Sequence, residues 1–430
     1  MYISKILGTL LLCSALSTSA FSAEISVEKT DTKKSKKSKK SKKSKKKKKK
    51  KAKIKKHTYS ASIEAGLGYD SNPFLTPSKP YFDFTNSGGG ILIQPNIQSG
   101  IFVPIKAKGD YEYRLKKDIR LLADIKYEGK YFIDSALENA NQYKTEAHAG
   151  ARFRFNKYKR ETNNFEVKAV VGNVHRIYVD HDDGSLKLTG TALNDQSNRY
   201  QYTKVGVEIA YNYAFKKIDL LAQLRHEDRD YAEPESWSSL DHTYSRFKLQ
   251  GGYKFTKALH IGAYYEYSLR DYRERKSYEI DPDGTIHLRN PGVNYIYNDV
   301  KTFLDYKLTK RYKTGLSYLL SARNDDNVGY SDYLYHRITW DNNYKVSKKL
   351  RTSLQLKYYL YDYLNAYAFD TNINLPEKEA DGVKVAFKSS YRINANLLGK
   401  IDLDYHDARA TDSRYEYDEL IAMATLKYSF

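Results

Sequence analysis

Ten histidines are the first candidates for metal or acid–base chemistry, and their spacing supports neither. No His-x-x-x-His or His-Glu-x-x-His pair occurs, so no zinc site of that kind is expected. His148 and His260 are expected to face inward with serines and acids of other segments, but no local motif marks a serine–histidine hydrolase. Asp180, Asp182 and Asp183 with Gly184 resemble half of a calcium loop; the downstream bidentate Glu is missing, which leaves an acidic solvated loop. Cys13 is the single cysteine, so no disulfide scaffold and no CxxC metal site is available. No catalytic residue, metal or cofactor is therefore expected. What does recur is Lys and Arg, at Arg114, Arg120, Arg152, Arg154, Arg225, Arg246, Lys248, Arg337, Lys357, Lys388 and Arg392, with Lys106, Lys108, Lys126, Lys168, Lys254, Lys384 and Lys400 on the same parity. Rings of such residues favour anions if they line water.

The segments that carry them alternate with period two from His57 onward. Leu259, Ile261, Ala263, Tyr265, Tyr267 and Leu269 share one face, while His260, Gly262, Tyr264, Glu266, Ser268 and Arg270 share the other. Val383, Val385, Phe387, Tyr391 and Ile393 oppose Lys384, Lys388, Ser390 and Arg392 in the same way. About sixteen such segments follow one another, from 59–71 and 101–115 to 396–407 and 416–430. Their connections are short at Lys116–Asp118, Lys216–Lys217, Thr256–Lys257, Thr309–Arg311, Ser347–Lys348 and Asn394–Ala395. They are long at 72–100, 133–141, 179–199, 231–241, 272–294, 324–332, 364–381 and 408–415.

Short turns on one side and long loops on the other predict an all-β fold: a closed antiparallel transmembrane barrel of about 16 strands (14–18) over residues 57–430. An even strand number puts both ends of that span on the short-turn side. The mean hydropathy of −0.73 and the lack of a long apolar run exclude helical spans. A soluble sandwich would have to bury the charged face, and a protein core does not tolerate it. A wet lumen does, and closure pairs every backbone edge that lipid would otherwise meet. The 42 tyrosines are expected in the interfacial girdles, with Tyr111, Tyr211, Tyr253, Tyr344 and Tyr428 near the short turns and Tyr69, Tyr127, Tyr265 and Tyr358 towards the long loops.

The formal charge of +21 is misleading until it is located. Residues 33–56 hold 18 lysines, among them Lys33, Lys45 and Lys50, and leave roughly +4 on residues 57–430. Residues 1–23 read as a secretory signal peptide, with Lys5 before the apolar stretch Ile6–Leu16 and small residues at Ala20, Ser22 and Ala23. Cys13 would be removed with it. Residues 24–56 then form a disordered Lys/Ser-rich segment in the periplasm. Such a tract attracts anionic headgroups or an acidic polymer at about 1 kcal/mol per Lys near the surface. Nucleic acid is not expected as a partner of an exported chain.

Leu426, Tyr428 and Phe430 alternate on one face at the last strand. They resemble the C-terminal signal that the barrel assembly machinery reads in outer-membrane proteins. The first strand, Gly66-Leu67-Gly68-Tyr69-Asp70-Ser71-Asn72-Pro73, resembles the opening of several families of bacterial β-barrel porins, some associated with exopolysaccharide export. It is also similar to the barrel half of surface lipoprotein assembly modifiers, whose N-terminal helical repeats are replaced here by the Lys tract. The resemblance implies a non-enzymatic channel in the outer membrane of a Gram-negative bacterium, surrounded by lipid. Its cargo would be an anionic solute or an acidic polysaccharide, and porin analogy suggests a trimer. A non-conducting barrel whose loops bind a partner is the alternative. The balance of lumen charge stays open, because cross-strand ion pairs can neutralise it. So does the placement of loop 72–100, which could enter the barrel and set its size limit or cap it from outside.

Overall fold

The computed structural model describes residues 56–84, 90–158, 161–176, 200–232, 240–280, 286–330, 332–369 and 375–430. Cys13, Lys33, Lys45, Lys50, Asp180, Asp182, Asp183 and Gly184 lie outside these residues.

Period-two alternation lets a strand show lipid one face and water the other, provided that no edge remains unpaired. Here none does. The strands are β1 (His57–Asp70), β4 (Gly100–Arg114), β5 (Ile119–Phe132), β6 (Gln142–Arg154), β7 (Thr162–His175), β8 (Tyr202–Phe215), β9 (Ile218–Tyr231) and β10 (His242–Lys254). They continue as β11 (Leu259–Ile280), β12 (Ile286–Tyr306), β13 (Tyr312–Asp325), β14 (Tyr333–Tyr344), β15 (Leu350–Tyr367), β16 (Glu377–Arg392), β17 (Leu397–Ala410) and β18 (Tyr417–Ser429). Each pairs antiparallel with its neighbours, and β1 closes the cylinder by pairing with both β4 and β18. Two short strands, β2 (Tyr81–Asp83) and β3 (Ile91–Ile93), form a separate hairpin between β1 and β4.

Apolar side chains stand on the outside of this cylinder. Leu67, Ile125, Val205, Leu249, Val300, Ile338 and Ile401 are all exposed, as hydrocarbon-facing residues of a closed barrel must be. Leu249, midway along β10 and 49 % exposed, tests the assignment. Leu249→Arg should cost about 2–4 kcal/mol of barrel stability in vesicles. Lys248→Arg, one residue away on the other face, should cost almost nothing. Denaturant titration in lipid reads both, and equal costs would contradict the lipid-facing assignment.

Four of the short turns share one chemistry. Thr256, Thr309 and Ser347 each accept backbone hydrogen bonds through their hydroxyls from the residues two and three further on. The Asn394 amide oxygen does the same. These side chains replace backbone partners in a tight reversal.

The long-loop side differs from expectation in two places. The spans 272–294 and 364–381 were expected as connections, but β11, β12, β15 and β16 extend far into them. Register shifts between Asp271 and Ser277, and between Asp362 and Tyr367, explain the miss. A bulge breaks the strict alternation on which strand detection depends.

The Gly66-Leu67-Gly68 sequence now has a packing reason. A Cβ on Gly66 would collide with the backbone of Ala424 across the closing seam, and one on Gly68 would enter the Phe102 ring. The next residues pin the loop. Asp70 Oδ1 accepts from Asn72 N at 2.9 Å, Asn72 Oδ1 accepts from Thr76 N at 2.8 Å, and Ser71 Oγ accepts from Leu420 N at 2.7 Å.

Loop 72–100 both enters the barrel and lies across its rim. Phe74 packs on Phe102, Phe132, Leu137 and Ala140 against the inner wall. Tyr81 of the hairpin is buried with Ala368 and Phe369 of the β15–β16 connection. A fully buried Asp412 ties that rim together. Its carboxylate accepts from Arg414 Nη2 at 2.9 Å and from Phe369 N at 3.3 Å. Burial alone would push this carboxyl up, but the hydrogen bond and charge of Arg414 outweigh it and hold it below the ordinary aspartate range. A depressed carboxyl stabilises the fold above its unfolded value, about pH 4, and that share is lost as pH falls through the lower folded value. Hydrogen-exchange protection at Thr411–Glu416, taken relative to the intrinsic rate at each pH, should therefore fall below about pH 4, ahead of the barrel strands.

Candidate functional site: the inner wall

The residues between the exposed apolar positions face inward, and the strand register decides which of them meet. On β4–β9 most of the cations are bound into ion pairs, although Lys106, Arg114, Lys126 and Arg154 have none among the described residues. Arg120 pairs with Glu112, and Arg152 reaches Glu112 at 3.1 Å and Glu166 at 2.6 Å. Lys168 joins the same group through Glu166 at 3.0 Å. A second group centres on Glu227, whose side chain is wholly buried: Arg229 bonds it at 2.9 Å and Lys204 approaches at 3.4 Å, with Arg225 also paired to it. Arg225 further reaches Glu146 at 3.2 Å and Glu208 at 3.4 Å. Lys204 also pairs with Glu146.

The two inward histidines belong to such groups. His148 lies between Asp124 (2.8 Å) and Glu146 (3.2 Å). His260 lies 3.1 Å from Asp219 and 3.8 Å from Asp305. Ser245 does meet a histidine, His226, at 2.9 Å, but both side chains stand on the outward-facing parity. Among the described residues no three His, Cys, Asp or Glu are arranged to hold a metal ion.

The opposite wall, β10–β17, is different. Lys248 has Glu266 at 3.4 Å and Arg246 donates to Gln223 at 3.0 Å. Lys301, Arg337, Lys357, Lys384 and Lys388 have no carboxylate within 4.0 Å among the described residues, although Lys388 stands across from Asp402 in the register. Lys357 stands directly opposite Lys384, and Arg337 is an electrostatic neighbour of Lys301, Lys357 and Lys384 alike. Arg114, Arg154 and Arg392 sit near the short turns, likewise without an ion pair among the described residues.

Tyrosine supplies the second feature of this wall. The expectation that Tyr belongs to the outer girdles holds for Tyr69, Tyr111, Tyr211, Tyr253, Tyr265, Tyr344, Tyr358 and Tyr428, all about 40 % exposed or more; Tyr211 is slightly less so. It fails for an inward set. Tyr333 faces Tyr363, Tyr335 faces Tyr361, and Arg337 faces Tyr359 in successive rungs of β14 and β15. The Tyr335 and Tyr361 rings lie 4.3 Å apart, and Tyr333 lies 5.2 Å from Tyr361. Arg323 sits 4.3 Å from the Tyr333 ring and 5.0 Å from that of Tyr295, which carries the band on to β12. The signal was in the parity: Tyr333 and Tyr335 alternate in step with Arg337, and Tyr359, Tyr361 and Tyr363 in step with Lys357.

A closed cylinder of sixteen strands, apolar outside and ionic inside, is a porin-like barrel of the bacterial outer membrane. No family model matches the chain, and no curated protein matches it. Solved structures do. A loop-deletion variant of OmpT from Vibrio cholerae is 13% identical, with 87% of this chain and 100% of that one covered and a TM-score of 0.47. A bacterial polysaccharide outer membrane secretin is 9% identical over 86% and 98%, with a TM-score of 0.43. A mutant of Rh. blastica porin is 11% identical over 87% and 100%, with a TM-score of 0.35. The class rests on the chain's own geometry, which these comparisons accompany.

Proposed function

We propose that the barrel is a passive channel favouring anionic solutes, including acidic polymers. The observation that carries this reading is the group Lys301, Arg337, Lys357, Lys384 and Lys388, without a carboxylate within 4.0 Å among the described residues and with Lys357 opposite Lys384. Like charges opposed on one face destabilise a sheet by up to about 1 kcal/mol. A passing anion relieves that repulsion. The paired residues Arg120, Arg152 and Arg225 have a different role here: they brace the facing wall, while Lys248 is held by Glu266 on its own wall. The anion path is thereby assigned to Arg337, Lys357, Lys384 and Lys388 among the basic residues expected from sequence, together with Lys301.

In the same reading residues 1–23 direct export, and the lysines of residues 24–56, in the periplasm, attract acidic polymer or anionic headgroups. The barrel assembly machinery recognises Leu426, Tyr428 and Phe430. Planar-bilayer recording under a KCl gradient tests the channel. Stable openings with a reversal potential on the chloride side are expected. Phe74 and Leu137, seated on the inner wall, favour the second reading, a plugged scaffold. That reading predicts no openings from purified, folded protein.

A further inference from the structure

The inward tyrosines do nothing for a bare anion, yet they stand beside the cations. Tyr333, Tyr335, Tyr361 and Tyr363 are each only half-buried, so each keeps part of a ring towards the lumen. Water gains little from such surface. Arg337, 5.8 Å from the Tyr335 ring, and Lys357 occupy the next two rungs inward along the same pair of strands. Together the rungs present apolar ring faces, phenol hydroxyls and then positive charge. A ligand matching that order has an apolar face, a rim of hydroxyls and a carboxylate. A flat aromatic acid would want a slot between parallel rings. Here Tyr335–Tyr361 is tilted at 31° and Tyr333–Tyr361 edge-on at 82°, while the nearly parallel Tyr361 and Tyr363 rings, at 27°, have centroids 6.2 Å apart, the spacing of two rings in contact with no third between them. They make an open wall, on which a saturated ring can lay its C–H face while the rest of a chain passes.

We infer that the four tyrosines, with Arg337 and Lys357, form a stacking site for acidic sugars, the uronic-acid units of an oligosaccharide. The inference rests on the anion-channel reading and names its substrate class. Phenol rings hold the sugar face, and Arg337 and Lys357 hold the carboxylate.

The test uses the full-length barrel in planar bilayers with tri-galacturonate, against maltotriose as a neutral sugar and citrate as a trivalent anion without a sugar ring. Tri-galacturonate should block at concentrations about tenfold below either control. The double variant Tyr335→Leu/Tyr361→Leu should raise its half-blocking concentration about tenfold, and Tyr335→Phe/Tyr361→Phe should leave it within about twofold. Both should keep the wild-type reversal potential. Tri-galacturonate acting no better than citrate would overturn the sugar site while leaving anion preference standing. A wild-type channel without anion preference would sink the channel reading instead. Calorimetry of wild-type barrel in detergent with the same three probes needs neither conduction nor a folded variant, and equal heats for tri-galacturonate and citrate would also overturn the site.

Discussion

Replacing Lys301, Lys357 and Lys384 together by glutamine should abolish anion preference while leaving the barrel folded and its channel open. A unit charge at 4 Å in water is worth about 1 kcal/mol, or about fivefold in occupancy, before salt screening. Three removed charges should therefore lower the chloride-to-potassium permeability ratio by more than tenfold at low salt, and less at 1 M. The barrel should tolerate the change because none of the three has a carboxylate partner within 4.0 Å among the described residues, and Lys357 already faces Lys384. Removing one of two opposed cations relieves repulsion. The matching change on the other wall, Lys168→Gln together with Glu166→Gln, should hardly move the reversal potential, since it removes a pair whose charges already cancel across 3.0 Å. Equal shifts from both walls would refute the division of the lumen into a conducting and a bracing side.

The largest loss of stability should come from Glu227→Ala. This carboxylate is wholly buried, and Lys204, Arg225 and Arg229 all converge on it. Truncation would leave three cations around a void. Breaking a buried ion pair from one side costs about 3–5 kcal/mol, because the desolvation of the surviving charges is no longer offset. The site is built for this side chain: on the paired strand stands Gly206, where a Cβ would lie 2.8 Å from the Glu227 Cα. Thermal unfolding in detergent should show the loss directly. Glu227→Gln should recover part of it, by keeping the volume and two hydrogen-bond positions. A melting temperature unchanged in the Ala variant would mean that water, not protein, solvates the group.

Strand position, face and closure were legible without coordinates because they depend on local alternation. β5 at Ile119–Phe132 and β9 at Ile218–Tyr231 lie within a residue of the expected spans, and the basic residues singled out within the strands share the inward parity. Lipid outside and water inside impose that period on each strand separately, so each strand announces it separately. The division of the lumen was not legible. Arg120 and Arg337 look alike in sequence; one has Glu112 beside it and the other has Tyr335 and a neighbourhood of lysines. Which partner a side chain meets depends on the stagger between strands, and no single strand encodes that. The same holds for the loops. Phe74 and Tyr81 are seven residues apart, yet one packs on the inner wall and the other on the β15–β16 connection. Sequence alone determined a closed cylinder with charged residues of both signs on its inner face; only the closed tertiary register decided which of those charges were neutralised, because ion pairing acts across strands over distances of about 3–4 Å that local alternation cannot specify.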